Sequence, residues 1–498
     1  MRRRMRMSKT TAILCILLFY LVMNMVIGII ASRSRSRAGF LNNYFIGGRS
    51  MGGLVLAMTL VATYTSASSF LGGPGLASSW GLSQSWIAAI QIGTAFLTLG
   101  VMGKKLAIIS RRIHAVTITD YLRARYESPA VVILCSLCLV VFFITQMVAQ
   151  FIGGATLIQS VTGLSYTQGL MLFALIVILY TAIGGFKAVV ATDTMQGIIM
   201  TIGTFLLIFF IIYAGGGMSN IVDKLDAMNP GWDILGKGEH GEGIKALQPG
   251  YIISFWVLVG VGVMGLPQTT VRCMGFKDTR SMHRAMLYGT VVVGILMIGT
   301  HFAGALALPL VKDAGLKSTD AVIPYVVLNH MPTWAAGLFL AAPLAAVMST
   351  VSSLLILASA TIVKELLLSY NWKGKMSEKV VPAVSYLFTL LVGFVAVIIA
   401  LSPPSIIVWI NLFAMGGLEA TFFWALIGGL YWKKGSRYCC YGSIISGVLT
   451  FVFFNQVKIM PFSIHEIVPA LAVSGIVYFI IGKVRNEAPS PEVLKNCF

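Results

Sequence analysis

Apolar residues in this chain gather in runs of about 20, parted by short stretches where charge, Gly and Pro collect. A helical run of that length crosses a hydrocarbon core of roughly 30 Å. Thirteen such runs predict helices α1 11–32, α2 51–77, α3 84–109, α4 130–158, α5 166–185, α6 193–214, α7 250–271, α8 285–310, α9 334–363, α10 380–400, α11 405–431, α12 438–455 and α13 465–482. In lipid, backbone amides must pair within a helix or a closed barrel. Barrel strands would alternate over short segments, and these runs are continuous. The predicted fold is therefore an all-α polytopic membrane protein of about 13 transmembrane helices. The longest polar stretch, Ser219 to Pro249, carries both signs of charge and several Gly, and reads as an external loop with room for a short helix.

Two runs hold strong breakers at unusual depth. In α2, Ala62-Thr63-Tyr64-Thr65-Ser66-Ala67-Ser68-Ser69 precedes Gly72-Gly73-Pro74-Gly75. In α7 stand Gly260, Gly262, Gly265 and Pro267. Interrupted segments at matching places, five spans apart, are the mark of a five-plus-five inverted-repeat transporter. The competing explanation is that Gly and Pro are simply common in membrane helices. The repeat reading divides the chain into an N-terminal segment with the first helix (1–50), a first five-helix repeat (51–215), the external loop (216–249), a second repeat (250–431), and two added helices with a tail (432–498).

Composition agrees with the runs. Hydrophobic residues make up 57% of the 498, charged residues 11%, and the mean hydropathy is +0.87, too little charge to cover a soluble surface of this size. The net charge of +19 does not point to nucleic acid, because Lys and Arg sit between the apolar runs rather than in one domain. With the N-terminus outside and the C-terminus cytoplasmic, most of the 36 Lys and Arg fall in inner loops, Arg272 among them. Arg2, Arg3, Arg4, Arg6 and Lys9 go against that rule; a translation start at Met7 would leave only Lys9, and the later loops outvoting the first segment is the other explanation. A secretory leader is disfavoured, since no small-residue cleavage site precedes Arg33. Cys135 and Cys138 have CxxC spacing, but mid-helix, with no second pair and no nearby His, so packing is favoured over metal or redox chemistry.

Candidate ligands for a cation come next. Sodium wants oxygen, which a membrane helix offers as hydroxyls and as carbonyls freed at a break. The Ala62–Ser69 stretch of α2 has both. In α9, Ala346, Ser349 and Thr350 stand at i, i+3 and i+4 and share a face. Neither stretch has a carboxylate, which suits a weakly held monovalent ion better than calcium. Close packing through small residues is the alternative for either stretch alone.

These motifs resemble the sodium:solute symporter family, over about Phe40 to Gly482. The stretches that carry the resemblance are NYFIGGRSMGG (43–53), ATYTSASSFLGGPG (62–75), QFIGGA (150–155), YTAIGGFKAVVATDTMQG (180–197), SFWVLV (254–259), GLPQTTVRC (265–273), LAAPLAAVMST (340–350) and NLFAMGGLEA (411–420). GGFKA matches the family's own signature. The resemblance implies a leucine-transporter-like fold, a bacterial inner-membrane location and co-transported sodium. Its sodium ligands map onto the Ala62 and Thr65 carbonyls, the Ala346 carbonyl, and the Ser349 and Thr350 side chains. Asp193 maps onto an acidic residue lining the cytoplasmic sodium exit. Some relatives have an acidic or amide residue where this chain has Tyr64, which puts a charge contribution there in doubt.

Within the family the resemblance is greatest to bacterial carriers of pantothenate, which implies that solute; a monocarboxylate, an amino acid or a sugar is the alternative. Pantothenate has a carboxylate, an amide and two hydroxyls. Candidates to bind it are Tyr64, Ser66, Ser68, Ser69, Gln91, Gln146, Gln150, Trp256, Gln268 and Asn411, with interhelical hydrogen bonds as the alternative role for each. Glu419 is an intramembrane carboxylate on α11 and so a gating candidate, or else one half of a structural pair. His301 reads as a packed, hydrogen-bonded histidine. A channel, a transporter-like sensor and a membrane enzyme are disfavoured: there is no repeated pore loop, a tail of sixteen residues after Gly482, and no facing His, Cys or carboxylate cluster. The expected partners are the solute, sodium and the bilayer, with no nucleic acid and no obligate protein partner.

Overall fold

A computed structural model describes residues 2–33, 40–228, 248–371, 379–402, 407–457 and 463–498. Most of the predicted external loop lies outside the described residues, apart from a short helix at Met218–Met228. Arg35, Arg37, Lys373 and Lys375 of the predicted inner loops also lie outside them.

Among the described residues the architecture is helical, with one isolated bridge between Met51 and Phe276. The spans are α1 (Arg2–Arg33), α2 (Gly53–Tyr64 with Ser68–Trp80), α3 (Gln84–Arg112), α4 (Pro129–Thr162), α7 (Pro249–Gly265 with Pro267–Met274), α8 (Thr279–Leu306), α9 (Thr333–Leu368), α10 (Val381–Ala400), α11 (Ile407–Tyr431), α12 (Arg437–Val457) and α13 (Ile467–Arg485). Predicted α5 and α6 follow each other within Tyr166–Ala214, parted only by Gly185, whose backbone is non-helical. Gly185 turns the chain at φ +61° and ψ −163°, so α5 spans 166–184 and α6 spans 186–214. A side chain at Gly185 would also meet the Tyr44 ring at 2.5 Å. The GGFKA stretch thus owes its glycine to a sharp turn against Tyr44, whose hydroxyl donates to the Ala182 carbonyl at 2.8 Å. Lys187, predicted in a loop, lies in α6.

Burial sorts the helices by position. Every residue in the most apolar window of α9 is buried, and 83% of that of α11, against 33% for α1 and α12. So α9 runs through the centre, and α1, α12 and α13 flank the outside. Large apolar side chains such as Phe19, Phe205 and Phe394 point outward, as lipid contact requires.

One end of the bundle is tied together by basic residues. Arg49 donates to the Ser110 and Ala115 carbonyls, and Arg125 to those of Gly429 and Gly435. The helix Ile118–Tyr126, between α3 and α4, opens with a capping box of Thr117 and Asp120. Asp120 pairs with Lys364 and Arg123 with Glu365, fastening this helix to the end of α9.

Candidate functional site

The break in α2 exposes backbone oxygen. Thr65 is extended at ψ 135°, and the two halves meet at 72°. Carbonyls that a continuous helix would use internally are left to α9. Ser349 Oγ donates to the Ala62 carbonyl at 2.7 Å and approaches that of Ala346 at 3.0 Å. Thr350 Oγ1 reaches the Thr65 carbonyl at 2.8 Å and that of Ala346 at 2.9 Å. Ala62, Thr65, Ala346, Ser349 and Thr350 are fully buried. Three carbonyl and two hydroxyl oxygens therefore converge, with no carboxylate among them. Such a set suits a hard, singly charged cation: the hydroxyl protons rotate away and all five oxygens face the ion.

Below it, toward the basic end, sits an ion pair that the sequence did not announce. Arg272 Nη2 lies 3.2 Å from Asp193 Oδ2, and both side chains are completely buried. Thr59 donates to the same carboxylate oxygen at 2.7 Å. Arg272 also donates to Ser353 Oγ at 2.7 Å and to the Gln268 carbonyl at 2.5 Å. Ser353 stands one turn beyond Ser349 and Thr350 on α9, so the pair lies next to the oxygen cluster. Arg272 is not an inner-loop charge as expected; it belongs to the second half of α7, which the break turns into the bundle.

Beside the break opens a cleft with about 550 Å³ of empty space, the open solvent at its mouth included. Six expected residues line it: Tyr64, Ser66, Ser68, Ser69, Gln91 and Asn411. Gln84, Phe255, Val259, His301 and Met415 line it as well, and were not expected to. The Tyr64 hydroxyl lies 2.9 Å from both Gln91 Oε1 and the Val259 carbonyl. The other expected amides form a chain behind the cavity. Gln268 donates to Gln146, and Gln146 and Gln150 both donate to Asn411 Oδ1, at 3.2–3.3 Å. Gln150 Oε1 accepts from the Ala67 amide in the break of α2 at 2.9 Å. This chain joins the two broken helices through α4 and α11. Gln150, Gln146 and Gln268 thus support the cavity rather than line it. Trp256 does not line it, and is 38% exposed.

Glu419 lies one turn beyond Met415 on α11, fully buried, and neither of its carboxyl oxygens has a hydrogen-bond partner among the described residues. It abuts Gly262 in the break of α7. At the opposite end of the site, the loop residue Asp320 packs beside Gly72 of α2, with Oδ1 unpartnered. Burial pushes its carboxyl up to about 6, against the lowering effect of the Ile407 amide.

Comparison with known proteins places this geometry. A family model described as "Sodium:solute symporter family" matches residues 44–447. The chain is 44% identical to the sodium/pantothenate symporter of Escherichia coli (strain K12) over 478 residues, 96% of this chain and 98% of that one. It is 44% identical to the sodium/pantothenate symporter of Haemophilus influenzae, covering 95% and 96% of the two chains. A sodium/proline symporter of Staphylococcus aureus is 29% identical, covering 93% and 91%. Among solved structures, a sodium-coupled sialic acid symporter in a substrate-bound outward-open state superposes with a TM-score of 0.78 at 19% identity, covering 96% and 98%. A nucleobase-cation-symport-1 family transporter in a closed conformation gives 0.55 at 15%, covering 91% and 97%. The fold of this chain is the fold of these transporters.

Proposed function

This chain belongs to the sodium:solute symporter family, and from that premise we propose that it carries pantothenate into a bacterial cell together with sodium. It is a transporter and not an enzyme. The observation that carries the proposal is the five-oxygen cluster at the break of α2, beside a cleft lined by Tyr64, Ser66, Ser68, Gln91 and Asn411. The near full-length similarity to sodium/pantothenate symporters supplies the solute.

In the proposed cycle, sodium binds the Ala62, Thr65 and Ala346 carbonyls with Ser349 and Thr350. It thereby ties α2 to α9 and fixes the wall of the cavity that holds Tyr64, Ser66, Ser68 and Ser69. Pantothenate then binds with its carboxylate toward the N-terminal end of the outer half of α2, where backbone amides and the helix dipole favour an anion. Gln91 and Asn411 hold its amide. Helices 51–215 and 250–431 act as the two repeats and rock against each other. Sodium leaves past Asp193, whose partner Arg272 must first give way. Glu419 serves as a gate below Met415: it is carried neutral, because an unpaired buried charge there would cost far more than the site returns. The protein sits in the inner membrane with its basic end cytoplasmic, its N-terminus outside and its C-terminus inside.

Each net charge moved gains about 2.3 kcal/mol per 100 mV of membrane potential. One sodium with one pantothenate anion moves none, so under that stoichiometry the sodium gradient alone is the driving force.

The test is uptake of labelled pantothenate into vesicles under an imposed sodium gradient, with a potassium gradient as control. Sodium-specific accumulation is expected. Equal uptake in both gradients would refute the coupling. Sodium-driven uptake of proline or another small solute, with pantothenate inert, would refute the solute.

A further inference from the structure

His301 lines the cavity near the end of α8, opposite the start of α3 and the outer half of α2. Its Nδ1 lies 2.7 Å from the Met297 carbonyl. A carbonyl only accepts, so Nδ1 carries the proton. In the neutral ring Nε2 is then a bare acceptor. Nε2 faces α2 at Gly73, where a Cβ would stand only 2.2 Å from it. The absence of a side chain at Gly73 is what lets the imidazole reach the cavity wall. Among the described residues Nε2 has no hydrogen-bond partner.

The polar atoms of the cavity divide into two groups. Tyr64, Gln91 and Asn411 are already bonded to protein. Around His301 the situation is different: Ser68 Oγ and Gln84 Oε1, on the same cavity, are buried and unpartnered among the described residues. A buried polar atom without a partner is costly, and a ligand that supplies the missing hydrogen relieves the cost. Two of these three atoms, His301 Nε2 and Gln84 Oε1, can only accept, so they call for a donor. A carboxylate cannot donate; a hydroxyl can.

We infer that His301 is a specificity residue that accepts a hydrogen bond from a substrate hydroxyl, so that the cavity selects a hydroxylated acid over its deoxy counterpart. The inference rests on the proposed transport of pantothenate and assigns its hydroxyl end to the His301 and Gln84 side of the cavity, leaving Ser68 Oγ, which can donate, to the carboxylate at the N-terminal end of the outer half of α2. A site built to bond a hydroxyl rejects an analogue that lacks it, because its own polar groups stay unpaired.

The experiment is competition against labelled pantothenate uptake by three compounds: pantothenate itself, the analogue lacking both hydroxyls, and the alcohol in which the carboxylate is reduced. Wild type is expected to prefer pantothenate over the deoxy analogue by about tenfold or more, the weight of one unmade bond on a buried group. In His301→Leu that gap closes, while the gap between pantothenate and the reduced alcohol persists. His301→Gln, which keeps an acceptor and guards against a folding defect in the leucine variant, restores part of the hydroxyl preference. An unchanged hydroxyl preference in both variants overturns the inference. So does a variant that loses the carboxylate preference instead. Absence of sodium-driven pantothenate uptake in wild type is a separate failure: it removes the transport reading itself and this inference with it.

Discussion

At the scale of the residue, the decisive feature is how few charges the interior keeps and how each is handled. Asp193 and Arg272 neutralise each other without any water-exposed surface. Removing one partner leaves the other buried and uncompensated, which costs about 3–5 kcal/mol. Arg272→Ala is therefore expected to melt well below wild type in detergent, and the double change Arg272→Gln with Asp193→Asn to recover much of the loss. Equal melting of all three would show that the pair is not structurally coupled. Asp320 carries a pH dependence. Burial raises its carboxyl from 3.8 to about 6, so the packed loop is favoured while the group is neutral. That contribution is lost as pH rises from 3.8 through about 6. Asp320→Asn stays neutral throughout, so wild type should lose thermal stability relative to it as the pH is raised across that window. Parallel melting curves would contradict this. None of these pairings was legible in the sequence. Arg272 at the end of an apolar run reads as a loop charge, and only the bend of α7 turns it inward toward a carboxylate 79 positions away. His301 reads as a packed histidine, and its Nδ1 bond to Met297 agrees with that. What that bond does to the other nitrogen needs the fold.

At the scale of the element, the two broken helices carry the proposed sites, and both breaks were legible in the sequence. The breakers in 62–75 and 260–267 fall where the structure bends by 72° and 50°. The grouping of Ala346, Ser349 and Thr350 on one face also followed from spacing alone. What spacing did not reveal is the amide chain from Ala67 through Gln150, Asn411 and Gln146 to Gln268, because its members lie on four helices. Gln150→Leu leaves the Ala67 amide and Asn411 short of partners, at about 1–3 kcal/mol for a buried group. We expect Gln150→Leu and Asn411→Ala to be non-additive in thermal unfolding, since they cut the same chain. Strict additivity would mean the two amides act separately. The early start of α6 is the clearest miss at this scale, since α5 ends at Gly185 as expected but no loop follows it. Polar residues around Lys187 and Thr192 look like a loop, yet one glycine at positive φ turns the chain and a new helix starts at once.

At the scale of the whole molecule, the bundle was legible because lipid permits so few solutions: run length, continuity and low charge leave helices as the answer. The number of spans also follows, with α5 and α6 parted at Gly185. In the proposed cycle the molecule is a coupling device, in which an ion at the break of α2 orders the wall of the solute cavity. Coupling of that kind is reciprocal: sodium must tighten pantothenate binding by the same factor as pantothenate tightens sodium binding. The most direct measurement is pantothenate binding to the purified protein, titrated over sodium concentration, in wild type, Ser349→Ala and Thr350→Ala. Sodium is expected to tighten binding in wild type, and each variant to need several-fold more sodium for the same effect. Pantothenate binding that ignores sodium, or two variants with the wild-type sodium dependence, would contradict this.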